Sequence, residues 1–189
     1  MNGPKVVLDA NVLYGNLSRD LLLSLFAEGL YEAKWTAEIT DEWSRHLLEN
    51  QPNVTLEKHR RTVFLMHQIQ PSPLVENYQQ FVGQIDLPDK DDRHVVAAAL
   101  AIGARKILTW NLRDFPAQIL CAFGIVAESP DKFLADLVIE HPLEVVGVFR
   151  RMRERFKKPP MSIDQFFASL TKHQLVLAAR QLERYRDLL

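Results

Sequence analysis

Residues 88–108 read Pro88-Asp89-Lys90-Asp91-Asp92-Arg93-His94-Val95-Val96-Ala97-Ala98-Ala99-Leu100-Ala101-Ile102-Gly103-Ala104-Arg105-Lys106-Ile107-Leu108. A proline followed by a run of acids opens a helix where the macrodipole favours negative charge. Valine and alanine fill it, and Gly103 closes it. Lys106-Ile107-Leu108 follows as a short buried strand. A helix that hands directly to a buried strand is half of a crossover, and it predicts an α/β fold with a parallel sheet covered on both faces. Outward from this unit, Lys5-Val6-Val7-Leu8 is a β-branched run that reads as a first buried strand, and Ile125-Val126 as a last, short one. Ser18 is placed to cap a helix running through Leu21, Leu22, Leu25 and Phe26 to Gly29. Further helices are expected over 37–48 and over 55–69, the latter with Val63, Leu65, Met66 and Ile69 as apolar positions, before Pro71 and Pro73 break the chain. Past Ser129 the pattern is helical only, over 131–140, 142–156, 162–171 and 173–188, with Pro159-Pro160 as a break. The reading divides the chain into 1–128 and an all-helical extension over 129–189.

The 189 residues are 47% hydrophobic and 25% charged, enough apolar material for a core without disulfides. The one cysteine, Cys121, leaves no intrachain pair and reads as core filler in Ile119-Leu120-Cys121-Ala122-Phe123. The apolar run within Met1 to Leu8 is too short for a signal peptide. No stretch approaches the length of a membrane span, so a cytoplasmic protein is expected. A net charge of −1 argues against a general nucleic-acid binder. The charge is unevenly spread, however. Residues 131–189 carry 11 Lys/Arg and 8 Asp/Glu, a net +3, which leaves −4 on the rest.

Ligands of a parallel α/β sheet bind beyond the carboxyl ends of its strands. Asp9 directly follows the first strand; Thr109, Asn111 and Asp114 follow Lys106-Ile107-Leu108; Asp91 and Asp92 open the helix leading into that strand. Taken singly, each has a plain explanation. Asp9 fits an Asx turn, Asp91 or Asp92 a helix cap, Glu42 a solvated helix face, and Asp114 a helix start. Joint placement at one sheet edge points instead to a hard cation such as Mg²⁺ or Mn²⁺, because crowded carboxylates repel one another without one. Such a cation activates water and positions a phosphodiester.

Four segments in order then resemble the PIN-domain family: Val6-Val7-Leu8-Asp9-Ala10-Asn11-Val12-Leu13, Thr40-Asp41-Glu42-Trp43, Asp89 to Ala99, and Thr109-Trp110-Asn111-Leu112-Arg113-Asp114-Phe115. The resemblance spans about 1–128. It implies an α/β/α sandwich, Mg²⁺/Mn²⁺-dependent ribonuclease activity and, for VapC-like members, a toxin held by an antitoxin. It implies Asp9 and Asp92 as principal metal ligands, with Glu42 as a third. Asn11, Asp91, Thr109 and Asn111 would be supporting residues. Asp92 is preferred to Asp91 because it lies 17 residues before Thr109. Asn111 stands where some members have aspartate, which leaves Asp114 as the charged candidate of the fourth motif. Homodimers are common among similar proteins. The helical extension resembles, more loosely, one carried by a subset of VapC-like toxins.

Arg150, Arg151, Arg153, Arg155, Lys157 and Lys158 form a basic stretch that reads either as a solvated helix face or as an RNA-binding surface. Phe166, Phe167, Leu170, Leu175, Leu177, Ala178 and Leu182 must pack on the body or on a partner. Trp35 and Trp43 are expected as core anchors. Trp110 is expected to pack, and His46, one turn past Glu42, to lie at the surface. Two other functions are compatible with an aspartate after the first strand. One is a binding module of the same fold that no longer cuts. The other is a phosphotransferase, against which Asn11 and Leu13 stand where a second aspartate and its neighbour are wanted.

Overall fold

A computed structural model describes residues 3–69 and 72–189; the break expected at Pro71 lies outside the described residues. The elements are, in order, β1 (Lys5–Leu8), α1 (Ala10–Tyr14), α2 (Asn16–Ala27), β2 (Glu32–Lys34), α3 (Ala37–Asn50), α4 (Leu56–His67), α5 (Gln79–Val82), α6 (Arg93–Ile102), β3 (Lys106–Leu108), α7 (Ala117–Leu120), β4 (Val126–Glu128), α8 (Pro130–Glu140), α9 (Pro142–Glu154), α10 (Ile163–Lys172) and α11 (Val176–Leu182). A 3₁₀ turn (Cys121–Phe123) follows α7, and a six-residue 3₁₀ stretch kinked at Tyr185 (Glu183–Leu188) follows α11. The sheet is wholly parallel in the order β2-β1-β3-β4. The chain winds from β1 outward to β2, then crosses back past β1 to β3 and β4. The winding therefore reverses between β1 and β3, and a crevice opens there beyond the strand ends.

Local chemistry explains the unit read first. Gly103 takes φ 66°, a left-handed conformation that a side chain resists, and its N–H caps α6 on Ala99 and Leu100 carbonyls. Val95, Val96, Ala97, Ala98 and Ala99 are all fully buried, so small residues let α6 lie close on the sheet. Trp35 and Trp43 are fully buried as expected, and Trp110 packs half-buried against the core.

Several expectations are corrected. Ser18 does not cap α2. Gly15 holds the cap position, and the Ser18 hydroxyl, one turn in, donates back to the Gly15 carbonyl at 3.1 Å. Strand β2 carried no alternating apolar signal because two of its three residues are charged. Glu32 and Lys34 are nevertheless buried; Lys34 Nζ lies 3.1 Å from Glu32 and donates to the Ser72 carbonyl at 2.8 Å. Beyond β2, the Trp35 N–H donates to Pro73 O and the Trp35 carbonyl accepts from Val75 N–H, a parallel bridge to the 73–75 segment. Leu65 is exposed rather than core-facing; of α4's apolar residues, Met66 is the one fully inside. Cys121 is exposed, not core filler, because Leu120 takes the inward position on that turn. The last helix starts at Val176, not 173, since Gln174 adopts φ 63° and breaks the chain direction after α10.

The C-terminal helices share one continuous hydrophobic cluster with the sheet. Phe133 of α8 meets the Tyr31 ring edge-on at 5.0 Å, and Phe149 of α9 meets Phe166 of α10 at 6.2 Å. Phe166, Leu170, Leu175, Ala178 and Leu182 are buried within this cluster; Phe167 is partly buried against it and Leu177 is exposed. Helix α11 has no cap of its own. The buried Asp131 carboxylate supplies one from α8, with Oδ2 accepting from Leu177 N–H and Oδ1 from Ala178 N–H, each at 2.9 Å. Among the described residues, no helix is long and apolar enough to cross a membrane.

Candidate active site

The site grows from the register of β1 and β3. Leu8 pairs with Leu108, so the residues after them, Asp9 and Thr109, emerge side by side. The Asp9 N–H donates to Leu108 O at 3.0 Å. Asp9 caps α1, its Oδ1 accepting from Ala10 N–H at 2.6 Å. Its Oδ2 accepts from Thr109 Oγ1 and from Asn11 Nδ2, both at 2.6 Å. Asn11 Nδ2 also lies 3.0 Å from Thr109 Oγ1, which accepts from Asn111 N–H at 3.0 Å. The Thr109 hydroxyl thus spends its one donor and both acceptor positions, and its orientation is fixed. Asn11 Oδ1 accepts from Trp110 N–H at 3.0 Å, tying the loop after β3 to α1. A carboxylate has about four lone-pair positions. Asp9 uses three of them on the protein and keeps one for the cleft. Burial raises its pKa, a push opposed by the Thr109 hydrogen bond and reinforced by Glu42.

Asp92 sits at the cap position of α6 but makes no capping hydrogen bond, which leaves its carboxylate to the cleft. Burial first, then the charges of Asp9, Asp89, Asp114 and Glu42, push its pKa up to about 7. Oxygens of Asp89, Asp92 and Asp114 lie within 4.8 Å of one another. Asn111 Nδ2 donates to Asp114 Oδ2 and holds it there. Glu42 projects from α3, with its Oε2 3.7 Å from His94 Nε2. On its other side, His94 Nδ1 lies 3.8 Å from Glu38 Oε2, which accepts from Tyr78 OH at 2.7 Å. Burial alone would favour neutral His94, but its contact with Glu42 and the charges of Glu38, Glu42 and Asp9 outweigh that and raise its pKa.

Asp9, Glu42, Asp92 and Asp114 all line one cleft of about 570 Å³, together with Asn11, Asn111, His46, Glu49 and Asp89. Asp91 faces the adjoining hollow, with Glu38, Asp41, Arg45 and His94. Sequence reasoning passed over Asp89 and His94. The signal for Asp89 was its position one helical turn before Asp92. The Asp91 N–H donates to Asp89 Oδ1 at 2.9 Å, which closes a turn and brings Asp89 round beside Asp92. The basic stretch 150–158 is not brought to the cleft. Arg151 pairs with Glu28, just past α2 and before β2, at the amino end of the sheet. Arg150 pairs with Glu154, and Arg153 is spent on main-chain carbonyls.

Residues 5–113 match the PIN domain family, and residues 130–184 match the family described as the VapC50 C-terminal domain. A protein of Mycobacterium tuberculosis named "Putative ribonuclease VapC50" is 33% identical over 93 residues, covering 48% of this chain and 55% of that protein. The alignment thus spans about half of each protein. No solved structure matches. The strand order that places Asp9 beside Thr109, and the match over more than half of the chain, lead to one assignment: this chain belongs to the PIN-domain family and carries a C-terminal segment of the VapC50 type.

Proposed function

We propose that the chain is a metal-dependent endoribonuclease and the toxin of a type II toxin–antitoxin pair. The observation that carries this reading is the cleft itself. Asp9, Glu42, Asp89, Asp92 and Asp114 converge there, and burial reinforced by the neighbouring acids pushes the Asp92 pKa up to about 7. That arrangement opposes its own ionisation unless a cation compensates it. The donors are all carboxylate oxygens, which suits Mg²⁺ or Mn²⁺ over softer metals. The oxygens closest to one another are those of Asp89, Asp92 and Asp114; by the family motif Asp9 and Glu42, which line the same cleft, would join Asp92 in holding the ion. When bound, it supplies positive charge for the scissile phosphate and lowers the pKa of a water. The chain's own part is orientation. Thr109 and Asn11 fix Asp9 Oδ2, Asn111 fixes Asp114, and His94 stands between Glu38 and Glu42 so that the two acids do not repel each other freely. The ribonuclease reading is supported by the name of the mycobacterial relative, and an adjacent small reading frame for a DNA-binding antitoxin would support the toxin role.

The test is cleavage. Purified protein with Mn²⁺ is expected to cut structured RNA, and Asp9→Asn to lose that activity; equal cutting by the variant would overturn the site. Asn111, in place of a fourth-motif aspartate, gives the non-cutting binding module its one foothold, and a cleft that takes up no Mn²⁺ in calorimetry favours it. Thr109→Val deletes the hydroxyl that organises Asp9 while keeping the side-chain shape. Mn²⁺ affinity is expected to drop about 10–100-fold, as for other residues that orient metal ligands. Isothermal titration of both proteins reads this directly.

A further inference from the structure

The cleft poses an electrostatic problem for its proposed substrate. Among the described residues, its lining holds six carboxylates (Asp9, Glu42, Glu49, Asp89, Asp92 and Asp114) and no lysine or arginine. One divalent cation offsets two of those charges, so the cleft alone does not attract a polyanion. Among the described residues of the adjoining hollow Arg45 is the one arginine or lysine, so most of the affinity for RNA has to be supplied elsewhere on the molecule.

The turn after α9 has the required chemistry. Arg155, Lys157 and Lys158 are exposed and, among the described residues, form no ion pair. Phe156 stands between them, 49% exposed, an aromatic face among cations that suits base stacking. The turn is tied to the chain on both sides. Arg153 donates from Nε to Leu189 O and from a terminal nitrogen to Met161 O, each at 2.9 Å, pinning the chain on both sides. Phe156 N–H donates to Arg153 O at 3.1 Å, and Lys157 bridges Pro160.

Helix α2 gives the scale of the separation between the cleft and Arg151, one turn of α9 before Arg155. Tyr14, just before it, lines the cleft, and Glu28, just after it, holds Arg151 at the far end. Its 12 residues span about 18 Å. That distance is roughly five stacked nucleotides at ~3.4 Å each.

We propose that the turn 155–158 is a second RNA-contact surface outside the cleft, so that the substrate is an RNA long or folded enough to reach both it and the cleft. This rests on the ribonuclease reading above for its choice of ligand, but its test does not need cleavage. The full chain and a triple variant, Arg155→Glu, Lys157→Glu and Lys158→Glu, are titrated in EDTA with a fluorescent hairpin of ~20 nucleotides and a trimer too short to span the gap. Parent protein is expected to bind the hairpin well and the trimer poorly. The variant is expected to bind the hairpin at least 10-fold more weakly, with a salt slope smaller by about 2–3 in log–log terms. An unchanged hairpin affinity and salt slope in a folded variant overturns the proposal, as does a parent that does not bind the hairpin. Loss of binding to phosphatidylserine vesicles with RNA binding intact also overturns it, in favour of a membrane surface. With Mn²⁺ added, the variant's KM for the hairpin is expected to rise with kcat unchanged. A parent that binds through the turn yet never cuts sinks the ribonuclease reading and leaves the RNA surface standing.

Discussion

Without divalent cation, Asp92→Asn is expected to melt at a higher temperature than the parent protein at pH 8, while its RNA cleavage in Mn²⁺ falls by more than about 100-fold. The two effects share one cause. The Asp92 carboxyl has a pKa of about 7 in the folded chain, against about 3.9 when exposed to water. Below about pH 4 both states are protonated and Asp92 costs nothing. Between about pH 4 and 7 the unfolded chain releases the proton and the folded chain keeps it, so the folded state loses stability as pH rises through that window. Asp9, also raised by burial, works in the same direction. Above pH 7 the ionised acids repel one another at full strength. A neutral amide in place of the Asp92 carboxylate takes no part in that repulsion, so the substitution relieves the folded state there. Added Mn²⁺ reverses the ranking. At about 100 times its Kd a ligand stabilises by ~2.7 kcal/mol, and the variant, short of one donor, forgoes most of that. Melting curves at pH 5 and pH 8, with EDTA and with Mn²⁺, read all four corners. Equal stabilisation of both proteins by Mn²⁺ removes Asp92 from the cation-holding set.

Asp131→Ala is expected to cost about 2–4 kcal/mol, because two N–H groups at the start of α11 lose their acceptor. For a chain of this size that corresponds to a fall in Tm of roughly 5–15 °C. The helix has no cap on its own sequence to fall back on. Asp131→Asn keeps one acceptor oxygen and is expected to lose less. Because the carboxylate joins α8 to α11, the loss falls on the docking of the last helix, and proteolysis near 174–176 should quicken in step with the drop in Tm. A Tm within about 1 °C of the parent would mean that water replaces the carboxylate at no cost, against the ordinary penalty for an orphaned buried donor.

The parts of the fold that the sequence made legible were those whose signals are local. The acid-rich start of α6, its alanine face and the left-handed Gly103 are all readable within one window, and they announce the β3 crossover. Asp9 and Thr109 were legible as a pair because each follows a strand, and parallel neighbours bring such positions together. Strand β2 was not legible, because its burial depends on the Lys34 contacts with Glu32 and Ser72, a partner 38 residues away. The place of His94 between Glu38 and Glu42 was hidden for the same reason, since it joins α6 to α3. Asp131 carried only the signature of a first-turn acid on α8. Its actual partners lie 46 and 47 residues further on. The basic stretch was legible as charge but not as geometry. Arg153 turned inward to main-chain carbonyls, whereas its neighbours at 155, 157 and 158 stayed free.

The bridge between Trp35 and the 73–75 segment has a consequence for how copies of this chain meet. β2 is an outer strand of the sheet, and a bare outer strand offers a template to which another polypeptide can add. Here Trp35 has both main-chain groups occupied, and Lys34 reaches across to Ser72. The segment lies over the carboxyl end of that border like a selvedge, with three residues that form no strand of their own. A polypeptide adding along β2 would meet this segment at Trp35 and could extend no further in that direction without displacing it.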